Sequence, residues 1–366
     1  MRAVVLAASL VLVLANGAAA ETVLPQPDIF ALTWSSSQTE RVNLTNSPTF
    51  DGWPSPSPDD RRIAFASTRS GFDAIWTMNS DGSDPRRLTD RLEPDVHDLG
   101  PVTWSPDGRW LAFTATLEPP GRDVRYWHYL VYVVPSTGGT ARRLDLDGWT
   151  APSFSSDSKL IAYSVPSTVG AAIAVANADG SQARELARGS SAPVFAPRGR
   201  RILYLRDQRH VATMDATGRV RWTLRGYSAL DATWTRDGRV AFVATGVRRP
   251  GLYLVRPGSQ RPRKIVDIAD GFSLVLTADS RYAAVSAIGG TYIVRLAGGY
   301  FRRAGDEAGA MAWSPDGRQL AFVTEYGTHT LAVASVPGDT VEFGFPQAAE
   351  YFGLAWNGGR VLFGST

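Results

Sequence analysis

The sequence predicts an all-β fold, a β-propeller of eight four-stranded blades, and three observations carry that expectation. The decapeptide "WSPDGRWLAF" at 104–113 returns as "WSPDGRQLAF" at 313–322, and six further segments share its outline. Their starts lie 37 to 50 residues apart, close to the length of four short strands and their turns. Finally, the two ends of the chain each hold half of one such unit, and the halves are complementary.

Taken in order, the units are "SPDDRRIAFAS" from Ser57, "SPDGRWLAFTA" from Ser105, "SSDSKLIAYSV" from Ser155 and "APRGRRILYLR" from Ala196. "TRDGRVAFVA" from Thr235, "TADSRYAAVSA" from Thr277, "SPDGRQLAFVT" from Ser314 and "NGGRVLFGS" from Asn357 follow. In the Pro-Asp-Gly type of turn, proline presets φ, aspartate bonds to local backbone and glycine takes positive φ. An aromatic usually precedes the turn (Trp104, Phe154, Phe195, Trp234, Trp313, Trp356), and its regular recurrence fits packing between blades. The short apolar strand that follows carries another at Phe65, Phe113, Tyr163, Tyr204, Phe242, Phe322 and Phe363. A second hairpin is signalled by Asp81-Gly82 and by Asp179-Gly180, each between two alternating strands. No long amphipathic helix pattern is visible. The last unit, "EYFGLAWNGGRVLFGST", supplies two inner strands and "PDIFALTWSSSQTERVNLT" (27–45) two outer ones. Their pairing makes an eighth, composite blade that closes the ring and removes open edges. A seven-bladed ring is the alternative, should the Ala196 or Thr277 unit fail to form a blade of its own.

The chain has 366 residues, 44% hydrophobic and 20% charged, with 35 Gly and 23 Pro. "MRAVVLAASLVLVLANGAAA" reads as an export signal: Arg2, an apolar run from Ala3 to Leu14, and Ala18-Ala19-Ala20 before Glu21. The expected division is therefore a signal at 1–20 and a single propeller at 21–366, periplasmic or secreted, with no membrane span after cleavage. There is no cysteine, which removes disulfides, thiolate metal sites and cysteine nucleophiles together. A net charge of +3 without basic runs gives no footprint for nucleic acid.

With the repeat laid out, "FASTRSGFDAIWTMNSDGSDPRRLTD" (65–90) resembles the blade signature of TolB-like propellers, in which a WSPDG turn precedes an apolar strand. The resemblance covers nearly the whole mature chain but only the propeller part of that family. No amino-terminal α/β domain fits between Ala20 and Pro27, and eight units stand here rather than six. It implies envelope partners. The same blade also occurs in peptidase propeller domains and in polysaccharide lyases.

Catalytic motifs are mostly missing: there is no G-x-S-x-G elbow, Walker loop, H-E-x-x-H or G-x-G-x-x-G. "DLDGW" (145–149) and "NSDGSD" (79–84) could pass for calcium loops, but Ser156 stands where a loop from Asp145 needs glutamate, so hairpin turns are expected. Asn43-Leu44-Thr45 fits a glycosylation acceptor, though a strand context disfavours it. Four histidines remain, His97, His128, His210 and His329, all on or near the rim that carries b–c and blade-to-blade loops. Only His97 and His128 are plausible neighbours, with Asp95, Asp98 and Asp123 as partners. The candidate binding rim comprises Arg69, Asp73, Asp95, His97, Arg122, Asp123, Arg125, Tyr126, Trp127 and His128, all from the first two blades. Arginines beside exposed aromatics suit protein hot spots and sugar platforms; Arg248, Arg249 and Tyr326 extend the same logic. No catalytic residue, cofactor or metal is assigned. The expectation is a non-catalytic module binding a protein or envelope component. A polysaccharide lyase or hydrolase, or a small-molecule binder using the channel, is the alternative.

Overall fold

The computed structural model describes residues 27–34, 39–93, 95–117, 128–144, 148, 152–168, 170–246, 250–298, 300–324, 331–336, 340–343 and 351–365. Among these every regular element is a strand, and the strands form eight antiparallel sheets arranged as a ring. The fold is an eight-bladed propeller, and both units on which a seven-bladed alternative rested form full blades. The Ala196 unit joins Ser190–Phe195 to Ile202–Arg206 in blade 4, followed by His210–Met214 and Val220–Thr223. The Thr277 unit joins Gly271–Leu276 to Tyr282–Ala287 in blade 6, followed by Gly290–Arg295 and Phe301–Gly305.

Closure is as the termini require. Blade 8 runs from Tyr351–Asn357 innermost through Arg360–Ser365 and Asp28–Trp34 to Thr39–Asn43 outermost. Phe30 pairs with Phe363 in register and stacks on it at 5.7 Å. The Asp28 carboxylate fixes the outer hairpin by accepting from Asn43 Nδ2 (2.7 Å), Thr45 Oγ1 (2.8 Å) and the Ser47 N–H (2.9 Å). Both polar side chains of the Asn43-Leu44-Thr45 triplet are thus engaged inside the blade.

The core is divided among the joints. Eight apolar clusters lie one between each pair of adjacent blades, for example Phe65, Ile63 and Leu362 between blades 1 and 8. All seven second-strand aromatics are fully buried; in blade 6 the place falls to Val285. Each removes enough apolar surface from water to contribute about 2–3 kcal/mol. The aromatics before the turns serve the same joints. The indole N–H of Trp104, Trp234, Trp313 and Trp356 each donates to a carbonyl on the preceding blade's inner strand: Ser55 (2.9 Å), Val194 (3.0 Å), Val275 (3.2 Å) and Ala312 (2.9 Å).

One feature has no counterpart in the repeat pattern. The inner strands of blades 1, 4, 5, 6, 7 and 8 all carry a register shift near their loop-side ends. Trp53 (φ 56°), Ala192 (φ 53°) and Gly353 (φ 81°) occupy three of these bulges. In blade 2 the irregularity becomes a full break: Val96–His97 and Val102–Trp104 both pair with Trp110–Leu117, and residues 98–101 loop out between them.

Candidate functional site

The repeated Asp-Gly motif is structural. In blade 2, Ser105 Oγ donates to Asp107 Oδ1 (2.6 Å), the same oxygen accepts the Arg109 N–H (3.1 Å), and Ser105 Oγ accepts the Trp110 N–H (2.9 Å). Blades 1, 3, 6 and 7 repeat this three-bond knot around Asp59, Asp157, Asp279 and Asp316, and Thr235 begins it with Asp237 in blade 5. The residue after the aspartate, or after Arg198 and Asn357 in blades 4 and 8, takes positive φ in every blade, as Asp60, Gly108, Ser158, Gly199, Gly238, Ser280, Gly317 and Gly358. Partial burial opposes ionisation of Asp157, but the bonds from Ser155, Arg200 and the Lys159 N–H prevail and bring it down to about 2. Asp81 likewise accepts from Ser83 Oγ and N–H, which makes "NSDGSD" a hairpin turn. Of "DLDGW" only Gly148 lies within the described residues.

Of the predicted site residues, Arg69, Asp73, Asp95, His97 and His128 lie within the described residues, toward the opposite rim. Arg69 is placed at its base and committed to the fold. Its Nη2 meets the fully buried Asp51 carboxylate at 2.6 Å, its Nε donates to Ser67 Oγ (3.1 Å), and its guanidinium lies 5.2 Å from both the Phe65 and Trp76 rings. Asp73, half-buried on blade 1, lies within electrostatic reach of His97 and Asp98 on blade 2. Burial pushes its carboxyl upward, the Asp98 charge adds to this, and His97 works the other way. Asp95 and His97 are exposed. His97 pairs with Thr116, while Leu117 pairs with Val96 on one side and His128 on the other. The two histidines therefore flank one strand, with backbones about 10 Å apart across two strand spacings. Arg122, Asp123, Arg125, Tyr126 and Trp127 lie outside the described residues, as do His329, Arg248, Arg249 and Tyr326. His210 opens the third strand of blade 4 with Nδ1 3.8 Å from Asp207, remote from the blade 1–2 junction. Among the described residues no group of three or more His, Asp or Glu could hold a metal ion.

Two groups escaped the sequence reading. Asp231, on the inner strand Ser228–Trp234, reaches across to blade 6 and accepts the Leu274 N–H (2.8 Å) as well as the Ala232 N–H (2.8 Å). Burial pushes it up to about 6, against these two bonds. It is the one acid in "SALDATW", where other inner strands of full length begin with an acid or carry none, and that contrast was the available signal. The second is a cleft of about 1000 Å³ that opens on the turn face between blades 1 and 2, with Arg62 in its wall. Arg62 stands where Trp110, Leu160, Tyr282 and Gln319 stand in other units, which again could have singled it out.

The propeller fold can be set beside known proteins. The model of the TolB beta propeller domain matches residues 25–238, more than half of the chain. The chain belongs to the TolB β-propeller domain family. Among solved structures this TolB-type propeller is similar to an oligogalacturonate lyase in complex with manganese, at 11% identity and a TM-score of 0.58, over 94% of this chain and 98% of the lyase. It is also similar to the oligogalacturonate lyase of Vibrio parahaemolyticus (11% identity, TM-score 0.55, 93% of this chain and 98% of that one). A prolyl endopeptidase matches at 15% identity and a TM-score of 0.58 over 82% of this chain; the match spans 52% of the peptidase, about half its length. At such identities the likeness is one of fold. No curated protein matches the sequence. No helix among the described residues is long and apolar enough to cross a membrane.

Proposed function

We propose that this TolB-type propeller is an exported, non-catalytic module that binds a protein or another envelope component through the loop-bearing rim of blades 1 and 2. The observation that carries this reading is that Asp73 of blade 1 lies within electrostatic reach of His97 and Asp98 of blade 2, beside the break in the blade 2 inner strand. The opposite face spends its carboxylates on its own turns, whereas here charged groups from two blades stand together without forming such a knot. In this reading Asp95, the loop residues Arg122, Asp123, Arg125, Tyr126 and Trp127, and His128 complete the surface, and Arg69 holds its base in place. Residues 1–20 direct export and 21–366 form the single mature domain.

The test places a photo-crosslinking residue at position 95 on the rim and, separately, at 219 on the turn face, in cells exporting the protein. The expected result is a discrete adduct at 95 alone, lost in D73N/H97A, on a chain whose mass begins at Glu21. Equal labelling at both positions, or an adduct indifferent to the rim variant, sinks the proposal. A second reading, a polysaccharide lyase, draws on His97 and His128 flanking one strand. Unsaturated products from oligogalacturonate incubated with the purified protein and manganese would replace the binding reading with this one.

A further inference from the structure

The cleft between blades 1 and 2 lies on the turn face, away from the proposed rim, and its chemistry is different. Its walls come from the first turns of both blades, with Thr77 and Asn79 behind them and Ser136 and Thr137 closing one side. Arg62 is half-buried there. Its Nη2 donates to Thr77 Oγ1 at 2.7 Å, but its buried Nε has no acceptor, and among the described residues it has no ion-pair partner. A guanidinium keeps its charge in such a setting, so an unanswered donor is costly to leave buried. The two carboxylates in the wall do not answer it, because Asp59 and Asp107 are held by the hydroxyl and N–H groups of their own turns.

The joint also lacks a latch that two other joints carry. At the joint between blades 2 and 3, Ser158 Oγ accepts the Asp107 N–H of the preceding turn (3.0 Å), and between blades 5 and 6 Ser280 accepts that of Arg236 (2.8 Å). In blade 2 the equivalent position is Gly108, at φ 71°, and a Cβ there would meet nothing within 4 Å. Glycine holds the same place in blades 4, 5, 7 and 8, so what sets this joint apart is the half-buried arginine beside it.

We infer that this cleft binds a small ligand through an oxyanion group, sulfate, phosphate or carboxylate, clamped by Arg62 and supported by the surrounding hydroxyl and amide donors. Nε is sealed within the blade, so pairing with the oxyanion falls to Nη1, which is neither sealed nor bonded among the described residues, beside the Thr77-bound Nη2. The hydroxyls of Ser136 and Thr137 give such a group neutral donors beside the charge.

Calorimetric titration of the whole mature protein with sodium sulfate, sodium phosphate and sodium succinate, at constant ionic strength, tests this. Saturable binding of at least one is expected, and the preference among the three identifies the oxyanion. R62Q keeps a donor for Thr77 and should weaken binding about tenfold or more, the loss of one charge-assisted pair. G108S places at this joint the side chain that Ser158 and Ser280 carry at φ 56° in theirs; it should fold normally and abolish binding by closing the cleft. R198Q, an exposed arginine on the blade 4 turn, should bind as the parent does. Absence of saturable binding in the parent overturns the proposal, and so does binding that survives G108S unchanged.

Discussion

Arg62 and Arg69 bracket the same strand of blade 1 and meet opposite circumstances. Arg69 shares its charge with a buried carboxylate and two aromatic faces, so it contributes to the joint rather than to solvent chemistry. Arg62 has a hydroxyl and an empty space. Nothing in "RRIAFASTR" distinguishes them, because the difference arises from Asp51 and Gly108, residues outside that segment. Asp231 shows the same dependence on distant neighbours, and it gives a pH signature. Its folded pKa is raised to about 6 from 3.8, so between those values the folded state holds a proton that the unfolded state has released. Stability should therefore fall as pH rises from about 4 to about 6, by an amount on the order of 2–3 kcal/mol. Urea unfolding across that range should show this limb in the parent and a shallower one in D231N. A slope of the same size in D231N would assign the effect to other groups.

At the scale of the strand and turn, the sequence was informative wherever one residue type does one job. The three-bond knot needs a hydroxyl, an aspartate and a residue tolerant of positive φ, and that requirement is what repeats visibly. The inner-strand bulge is different, because one extra residue can be accommodated by glycine, alanine, leucine, phenylalanine or tryptophan, so no letter marks it. The break in blade 2 escaped notice for a related reason: residues 98–101 read as an ordinary connection between blades. Gly353 tests the bulge directly. Its φ of 81° is poorly suited to a side chain, and a Cβ there would lie 3.0 Å from the Trp53 Cα of blade 1. Replacement by alanine should lower stability by about 1–2 kcal/mol, measured by denaturant unfolding. A neutral result would mean that the two inner strands can separate at no cost.

For the whole molecule, the composite blade is what turns a row of joints into a ring. Removing residues 27–45 would expose the pairing edge of Arg360–Ser365 and strip Ile29, Phe30 and Leu32 from two of the eight clusters. Such a chain should form oligomers or aggregates by size-exclusion chromatography, whereas a monomer with the parent's melting temperature would show that closure is dispensable. Both the blade count and this closure were legible because they follow from counting units and matching ends. The rim was only partly legible. Its residues could be named from loop position, but whether they converge depends on how far each loop leans over the joint.

Ser158 and Ser280 hold a backbone conformation that glycine would adopt more easily, and each uses its side chain to latch the neighbouring turn. Relaxing the backbone and opening the joint are therefore the same substitution. A ring of eight near-equivalent seams thus carries its crevices as movable features: exchanging serine for glycine vacates one seam, and the reverse exchange seals another. Diversity in such a molecule can arise on the conserved-looking side, one atom group at a time, without disturbing a single strand.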